Sequence, residues 1–354
     1  MPRPRSRGPA SVTSRDIAKA ANVSQALVSR AFTGNGRIAP ETRAHILDVA
    51  RQIGWQPNAL ARSMVTGDAP LVAVITTRLQ FDWRAQVLSH LLKAIQEWHL
   101  KPLLFYAESD GEVDRLLGET IGWRTRGVIV TAGVIEERRA NDIVARGQFL
   151  AALNRPANHP DAFAVATDNP LGGSLAARLL LEEGRRRFLV LAGPVDSWAS
   201  SLREKGFLDG VAARGERAEA WHGETMSIET GKTFGKRFLD LPQAERPDAV
   251  FATNDALALG FMDGIRDRLC LPGELSLIGF DNLPASSWTP YRLTTFEQPL
   301  DEMVRRLIEY VDQRQQPEST PMAPTEEPPR QGPDGVFYCP PKMIVRSTTG
   351  AANG

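Results

Sequence analysis

Along residues 12–67 the apolar positions recur every three to four residues, the period of a helix face, and the elements they predict are short. Ile17, Ala18 and Ala21 share one side of a helix over 15–21. Ser14 is its expected N-cap, and Asp16 falls in the first turn, where a carboxylate suits the helix dipole. Asn22-Val23 interrupts the stripe, and asparagine tolerates the positive φ that a tight turn between helices needs. Ser24 caps a second helix reaching Phe32, with Leu27, Val28 and Ala31 inward. Pro40 suits the first position of a third, whose stripe is Ile46, Val49, Ala50 and Ile53 and which ends at Gly54-Trp55. One further helical stretch, 57–64, is too short to hold itself in water unaided.

From Leu71 the pattern changes to short apolar runs separated by longer helical segments. Runs at 71–76, 101–106, 127–131, 149–153, 187–192, 249–252 and 275–280 read as strands, with a weaker one at 218–221 and a helix near 201–214. Most are separated by roughly 20 to 35 residues, which leaves room for helical crossovers and predicts a mostly parallel sheet. Residues 313–335, rich in Pro, Gln, Glu and Thr, are expected to be a flexible loop without chemistry before a final strand over 336–345.

Composition changes the picture at one point. The 354 residues suffice for a small head and a large core, and 42% hydrophobic with 24% charged residues is the balance of a soluble globular protein. The formal net charge of zero is unevenly spread: residues 1–67 carry ten Lys/Arg against three Asp/Glu, so a basic head precedes an acidic body. That asymmetry points to a polyanion partner at one end. Residues 1–11, mostly Pro, Arg, Ser and Gly, are expected to be a disordered basic arm. Two cysteines, Cys270 and Cys339, make neither a disulfide framework nor a metal cluster. No apolar run approaches the roughly 18 residues of a membrane span, and the basic start lacks the apolar segment of a signal peptide, so a cytoplasmic location and no membrane partner are expected.

Enzyme signatures are missing. There is no GxGxxG after the first strand, no GxxxxGK[ST], no GxSxG, and no ligand-like spacing among the five histidines. No catalytic residue, metal site or cofactor is therefore expected. The outer side of the second helix, by contrast, presents Gln25, Ala26, Ser29 and Arg30. Two short helices around a tight turn, the second offering amide and guanidinium groups, fit a helix-turn-helix. Arginine can pair with guanine, glutamine with adenine, and an alanine methyl can touch thymine. A merely solvated polar face is the alternative.

Residues 12–67 resemble, without a gap, the headpiece and hinge of the LacI/GalR family of bacterial transcriptional regulators. The resemblance implies that Gln25, Ala26 and Arg30 read the major groove, and that Thr13, Ser24, Ser29, Thr33 and Arg37 hold phosphates. Residues 57–64 would be the hinge helix, entering the minor groove with Ala61 and an apolar wedge, with Asn58 as a further DNA contact. The wedge is usually Leu and here is Met64; Asn22 stands where Gly is common. Ala39 replaces the usual capping hydroxyl before Pro40, which should cost about 1 kcal/mol of head stability.

The resemblance continues to the C-terminal PPKMIVRSTTG. It implies a small all-α helix-turn-helix head plus an α/β two-lobed periplasmic-binding-protein-like (type I) effector domain. The implied boundaries are 12–56 for the head, 57–68 for the hinge and linker, 69–347 for the effector-binding and dimerisation domain, and 348–354 for a tail. The N-lobe would take 69–166 and 296–332, the C-lobe 167–295 and 333–347, with crossings near Ala166, Thr295 and Gly332. AGPVDSWASSLREKGF supplies Arg203, ATNDALALG supplies Asn254 and Asp255, and LIGFDN supplies Asp281 as effector contacts, joined by Asn154 after the fourth strand. Such groups give a polyhydroxylated ligand fixed donors and acceptors. Asp255 has a second reading, as a helix cap only.

Trp83 keeps an aromatic surface for a sugar face, and Met226 stands where an aromatic contact is frequent. Arg78 and Arg84 suggest an effector bearing an acidic group, unless they pair with surface acids. Together these expectations describe a homodimeric or tetrameric repressor that binds a pseudo-palindromic double-stranded operator and responds to a sugar or sugar derivative. A sugar-binding protein without DNA function and an uncharacterised α/β enzyme are the alternatives.

Overall fold

The computed structural model describes residues 12–33, 37–55, 70–79, 82–98, 100–266, 268–315 and 330–350. It divides into two compact units, with the break between Ala69 and Pro70.

The first unit is built on α1 (Ser14–Ala20), α2 (Gln25–Thr33) and α3 (Pro40–Gln52). Ile17, Val28, Ala31 and Ile46 are buried at its centre, and Phe32 lies 4.6 Å from Trp55 between ring centres. Asn22 takes φ +53° at the turn between α1 and α2, the left-handed conformation asparagine tolerates. The cap of α1 is not Ser14, which is already helical, but Thr13. Asp16 reaches back and accepts both the Thr13 amide (2.8 Å) and the Thr13 hydroxyl (2.7 Å). Those hydrogen bonds, the backbone one first, hold the Asp16 carboxyl below its usual range.

The second unit runs β1 (Leu71–Thr77), α4 (Asp82–Glu97), β2 (Lys101–Ala107), α5 (Val113–Thr120), β3 (Gly127–Val130), α6 (Glu137–Val144), β4 (Phe149–Leu153) and β5 (Phe163–Thr167). It crosses into α7 (Asn169–Glu182), β6 (Phe188–Ala192), α8 (Trp198–Ala212), β7 (Ala218–His222), α9 (Ile228–Asp240), β8 (Ala249–Ala252), α10 (Asp255–Ile265) and β9 (Ser276–Ile278). It then returns through β10 (Thr295–Glu297), α11 (Leu300–Gln315), β11 (Arg330–Gln331), β12 (Val336–Cys339) and β13 (Lys342–Ile344). Among the described residues the first lobe holds a seven-stranded sheet, ordered β11-β12-β5-β4-β3-β1-β2, and the second a four-stranded one, β7-β6-β8-β9. All pairings in them are parallel except β11 with β12.

Burial on both faces explains the nearly continuous apolar strands. In β1, Ala73 and Ile75 pack with Leu116, Leu117 and Ile143, while Val72 and Val74 pack with Leu91, Ile95 and Leu307. In the second lobe, α9 and α10 cover one face of the sheet, and α7 and α8 the other. The α7–α8 pair meets backbone to backbone. A Cβ at Gly173 would lie 2.1 Å from the Arg203 carbonyl oxygen, and one at Gly206 would lie 2.1 Å from that of Pro170. Gly206→Ala should therefore force the helices apart and cost roughly 1–3 kcal/mol or more. Urea denaturation followed by circular dichroism would read this loss; an unchanged midpoint would show that the helices yield freely.

Three expectations about the second unit need correction. The third crossing is not near Gly332: β12 pairs in parallel with β5, so residues 333–339 stay with the first lobe, and the chain leaves at Pro340-Pro341. The same prolines split the expected single strand over 336–345 into β12 and β13, because proline has no N–H for a ladder. The supposed loop 313–335 is partly regular, since α11 extends to Gln315 and β11 occupies Arg330–Gln331. Its remainder, 316–329, lies outside the described residues. The other two crossings run through Thr167–Asn169 and through β10, which pairs antiparallel with β13.

Candidate operator-reading helix and effector cleft

In the first unit, the alternation of Leu27, Val28 and Ala31 inward leaves Gln25, Ala26, Ser29 and Arg30 exposed along α2. Ser24 caps α2 by accepting the Leu27 amide at 3.2 Å. Gln25 Nε2 donates to Ser14 Oγ at 3.0 Å, tying the start of α2 to the start of α1. Thr13 is exposed with its hydroxyl directed to Asp16, Thr33 ends α2, and Arg37 is exposed beyond it. Asn58, Ala61 and Met64 lie outside the described residues.

In the second unit the close approach of α7 and α8 sets Arg203 beside Asn169. Arg203, only 4% exposed, donates Nε to Asn169 Oδ1 at 2.8 Å and Nη1 to the Thr253 carbonyl at 2.7 Å. Nη1 also reaches Asp281 Oδ1 at 3.2 Å, and the guanidinium carbon stands 3.7 Å from the centre of the Phe280 ring. Burial lowers the Arg203 pKa, against the opposing charges of Asp281 and Asp255. Burial likewise raises that of Asp281, against the pull of Arg203 and the hydrogen bond from Gln298.

From Asp281 the network crosses to the first lobe. Gln298, following β10, donates Nε2 to Asp281 Oδ1 at 2.6 Å and accepts the Thr167 hydroxyl at 2.7 Å. Asn154, at φ +59° after β4, donates to Gln298 Oε1 at 3.4 Å and accepts the Thr167 amide at 3.3 Å. In the other direction, Asn254 caps α10 by accepting the Leu257 amide at 2.9 Å and donates to the Met226 carbonyl at 3.3 Å. Met226 packs so closely on Gly193 that a Cβ there would come within 2.3 Å of its Cγ.

A cavity of about 390 Å³ adjoins this network and is lined by Trp83, Gln86, Asp281, Asn282, Gln298 and Leu300 among others. Larger cavities of about 690 and 640 Å³ lie beside β12 and between α4 and α11, and neither is lined by a predicted contact residue.

Six predicted effector residues are thus brought together: Asn154, Arg203, Asn254, Asp281 and Met226 by hydrogen bonds or adjacency, and Trp83 across the cavity. Asp255 is different. It is wholly buried and is not the cap of α10; it accepts the Thr295 hydroxyl at 2.5 Å and the Leu283 amide at 2.8 Å. Arg84 donates Nη1 to the Thr77 hydroxyl at 2.5 Å, at the carboxyl end of β1, and Arg78 stands beside it at φ +49°. Sequence reasoning missed Gln298 and Asn169. Gln298 sits between the crossing strand and Pro299, and Asn169 directly follows the capping Asp168, so their positions were signals that went unused. Chemically, the cleft offers a row of fixed donors and acceptors from both lobes. Among the described residues no group of three or more His, Cys, Asp or Glu could hold a metal ion.

Comparison with known proteins agrees with both units. The model of the bacterial regulatory proteins of the lacI family matches residues 13–58, and that of the periplasmic binding protein-like domain matches 177–349. The HTH-type transcriptional regulator GalS of Salmonella typhimurium is 28% identical over 83% of this chain and 87% of its own length. The crystal structure of the lac repressor dimer bound to operator and an anti-inducer superposes with a TM-score of 0.82 over 96% of this chain and 99% of that one, at 20% identity. A complex of the transcriptional regulator CelR with cellobiose gives 0.65 over 96% and 100%, at 22% identity. At those identities the structural likeness shows the fold, and the sequence matches carry the relationship. The chain belongs to the LacI/GalR family of bacterial transcriptional regulators.

Proposed function

We propose that this protein is a cytoplasmic, homodimeric repressor that reads a pseudo-palindromic operator with α2 and whose operator affinity is controlled by a small carbohydrate-like effector held between its lobes. The observation that carries the effector half is the continuous network Asn154–Gln298–Asp281–Arg203, buried except at half-buried Asn154, which spans both lobes and offers donors and acceptors at fixed positions. Such a row suits a ligand with several hydroxyl groups. Nothing in it pairs a nucleophile with a base, so the reading is binding rather than catalysis. For the DNA half, Gln25, Ala26, Ser29 and Arg30 form an exposed polar face, with Thr13, Ser24, Thr33 and Arg37 as phosphate contacts. Ala61 and Met64 would be the minor-groove contacts of the hinge, with Asn58 a further DNA contact. Effector and operator must change each other's affinity by the same factor.

Selection of bound duplexes from a random library, followed by fluorescence anisotropy on the enriched sequence, tests the DNA half. Arg30→Ala should relax base preference at one position and cost roughly 1–3 kcal/mol there. A uniform loss over all sequences would make Arg30 a phosphate contact instead. A thermal-shift screen with D-galactose, D-gluconate and D-glucose 6-phosphate tests the effector half, since a ligand of the folded state raises its apparent stability. The acidic probes should shift most if Arg78 and Arg84 face the ligand. Asp281→Ala should lower stability, because it leaves Arg203 buried without its counter-charge, and should abolish the shift while leaving operator affinity intact; a normal shift would mean the site lies elsewhere. Absence of any duplex preference together with turnover of a sugar would favour the enzyme alternative.

A further inference from the structure

Asp255 opens α10, yet both of its carboxylate oxygens serve segments outside that helix. Oδ1 accepts the Thr295 hydroxyl on the crossing strand β10, and Oδ2 accepts the Leu283 amide. These two partners bracket the stretch of chain that leaves Asp281 and returns at β10. Immediately before Leu283, Asp281 has φ +118° and Asn282 φ +49°, backbone that non-glycine residues hold only when the surroundings enforce it. The Asp281 amide is held by the Phe296 carbonyl at 2.8 Å, one residue beyond Thr295. Arg346 grips the stretch from elsewhere, donating to Asn282 Oδ1 and to the Leu293 carbonyl, each at 2.7 Å. The preceding strand approaches so closely that a Cβ at Gly279 would lie 2.3 Å from Asp255 Oδ1.

We propose that Asp255 is a positioning residue of the effector cleft: it fixes the left-handed backbone that delivers the Asp281 carboxylate to Arg203 and Gln298, and it ties that loop to the crossing strand, without touching the effector itself. What Asp281 is positioned for rests on the effector reading above; the bracing stands independently of it. The arrangement links ligand contact and lobe crossing through one side chain. A shift of β10 during lobe movement is thereby transmitted to Asp281, and the reverse.

Hydrogen exchange of the full-length protein, read in peptides spanning 279–297, tests the bracing without any ligand. Asp255→Ala should speed exchange there by about tenfold, leaving peptides of β6 and β8 unchanged. Asp255→Asn keeps an acceptor for Leu283 and a donor for Thr295, and should restore protection to within about twofold of the natural chain. Unchanged exchange in Asp255→Ala, or exchange raised evenly over the second lobe, would overturn the proposal. Should that variant fail to fold, Thr295→Val removes one of the two ties and should raise exchange in the same peptides alone; no change would count against the bracing. With D-galactose, D-gluconate and D-glucose 6-phosphate as probes, Asp255→Ala should lose whatever thermal shift the natural chain gives, and Asp255→Asn should keep it. A natural chain that responds to none of them speaks against the effector reading, while the exchange result still decides the bracing.

Discussion

Arg203→Ala should destabilise the effector-binding unit by about 3–5 kcal/mol, because it removes one partner of a buried ion pair and leaves the other charge uncompensated. The cost has three sources at this site. Asp281, 9% exposed, loses the guanidinium that offsets its desolvation and keeps only Gln298 as donor to Oδ1. The Thr253 carbonyl and Asn169 Oδ1 lose their donors in a region closed to water, and the Phe280 ring loses its stacked cation. Chemical denaturation at neutral pH measures the loss. The double variant Arg203→Met with Asp281→Leu should lose markedly less than the single one, since replacing both partners by apolar groups removes the uncompensated charge. A single variant within about 1 kcal/mol of the natural chain would mean that water reaches Asp281 and that the pair is not sealed.

Asp255→Asn should flatten the pH dependence of stability between about pH 4 and 7 and leave the variant at least as stable as the natural chain above it. Burial, followed by the nearby charge of Asp281, raises the Asp255 carboxyl from 3.8 to about 7 in the folded state. Below the unfolded value both states hold the proton, and the group contributes no slope. Between the two values the folded state keeps a proton that the unfolded state releases, so stability falls as pH rises. Above about 7 the folded carboxyl must ionise as well, and the penalty becomes constant, on the order of 4 kcal/mol. Asparagine carries no such penalty and can keep both hydrogen bonds. The stability difference, Asp255→Asn minus natural, should therefore grow from pH 4.5 to 7.5. Parallel profiles over that window would show that Asp255 stays ionised when folded.

Local elements were legible because their causes are local. The period of Ile17, Ala18 and Ala21, the turn at Asn22 and the proline that opens α3 each act through neighbours a few residues away, and each is read directly from the chain. Strands buried on both faces appear as apolar runs, which is why those at 149–153 and 249–252 have the expected bounds. The strand Phe163–Thr167 escaped notice: five residues after a turn segment give no periodicity to set them apart, and only pairing with β4 and β12 makes them a strand. The cap of α1 fell on Thr13 rather than Ser14 because Asp16 reached one residue further back, a choice between adjacent hydroxyls that spacing alone does not make.

The site divides in the same way. Arg203, Asn254 and Asp281 stand in segments whose local wording carries the family resemblance, so the sequence by itself determined the class of protein and most of the polar side chains that meet in the network. Gln298 and Asn169 acquire their roles only through partners far along the chain, 131 residues away for Thr167 with Gln298 and 34 for Asn169 with Arg203. The part of Asp255 was decided at the same level: the sequence offers an acidic residue at a helix start, for which capping is the cheaper reading, and the fold gives the cap to Asn254 instead. Which lobe holds residues 333–339 also waited on tertiary structure, since a short apolar strand pairs equally well with either sheet until its register with β5 is formed. Periodicity, capping and turn chemistry are properties of a few consecutive residues. Which buried carboxylate pairs with Arg203 and which is tied to Thr295 and Leu283 depends on crossings that bring distant strands together, and no window along the chain contains them.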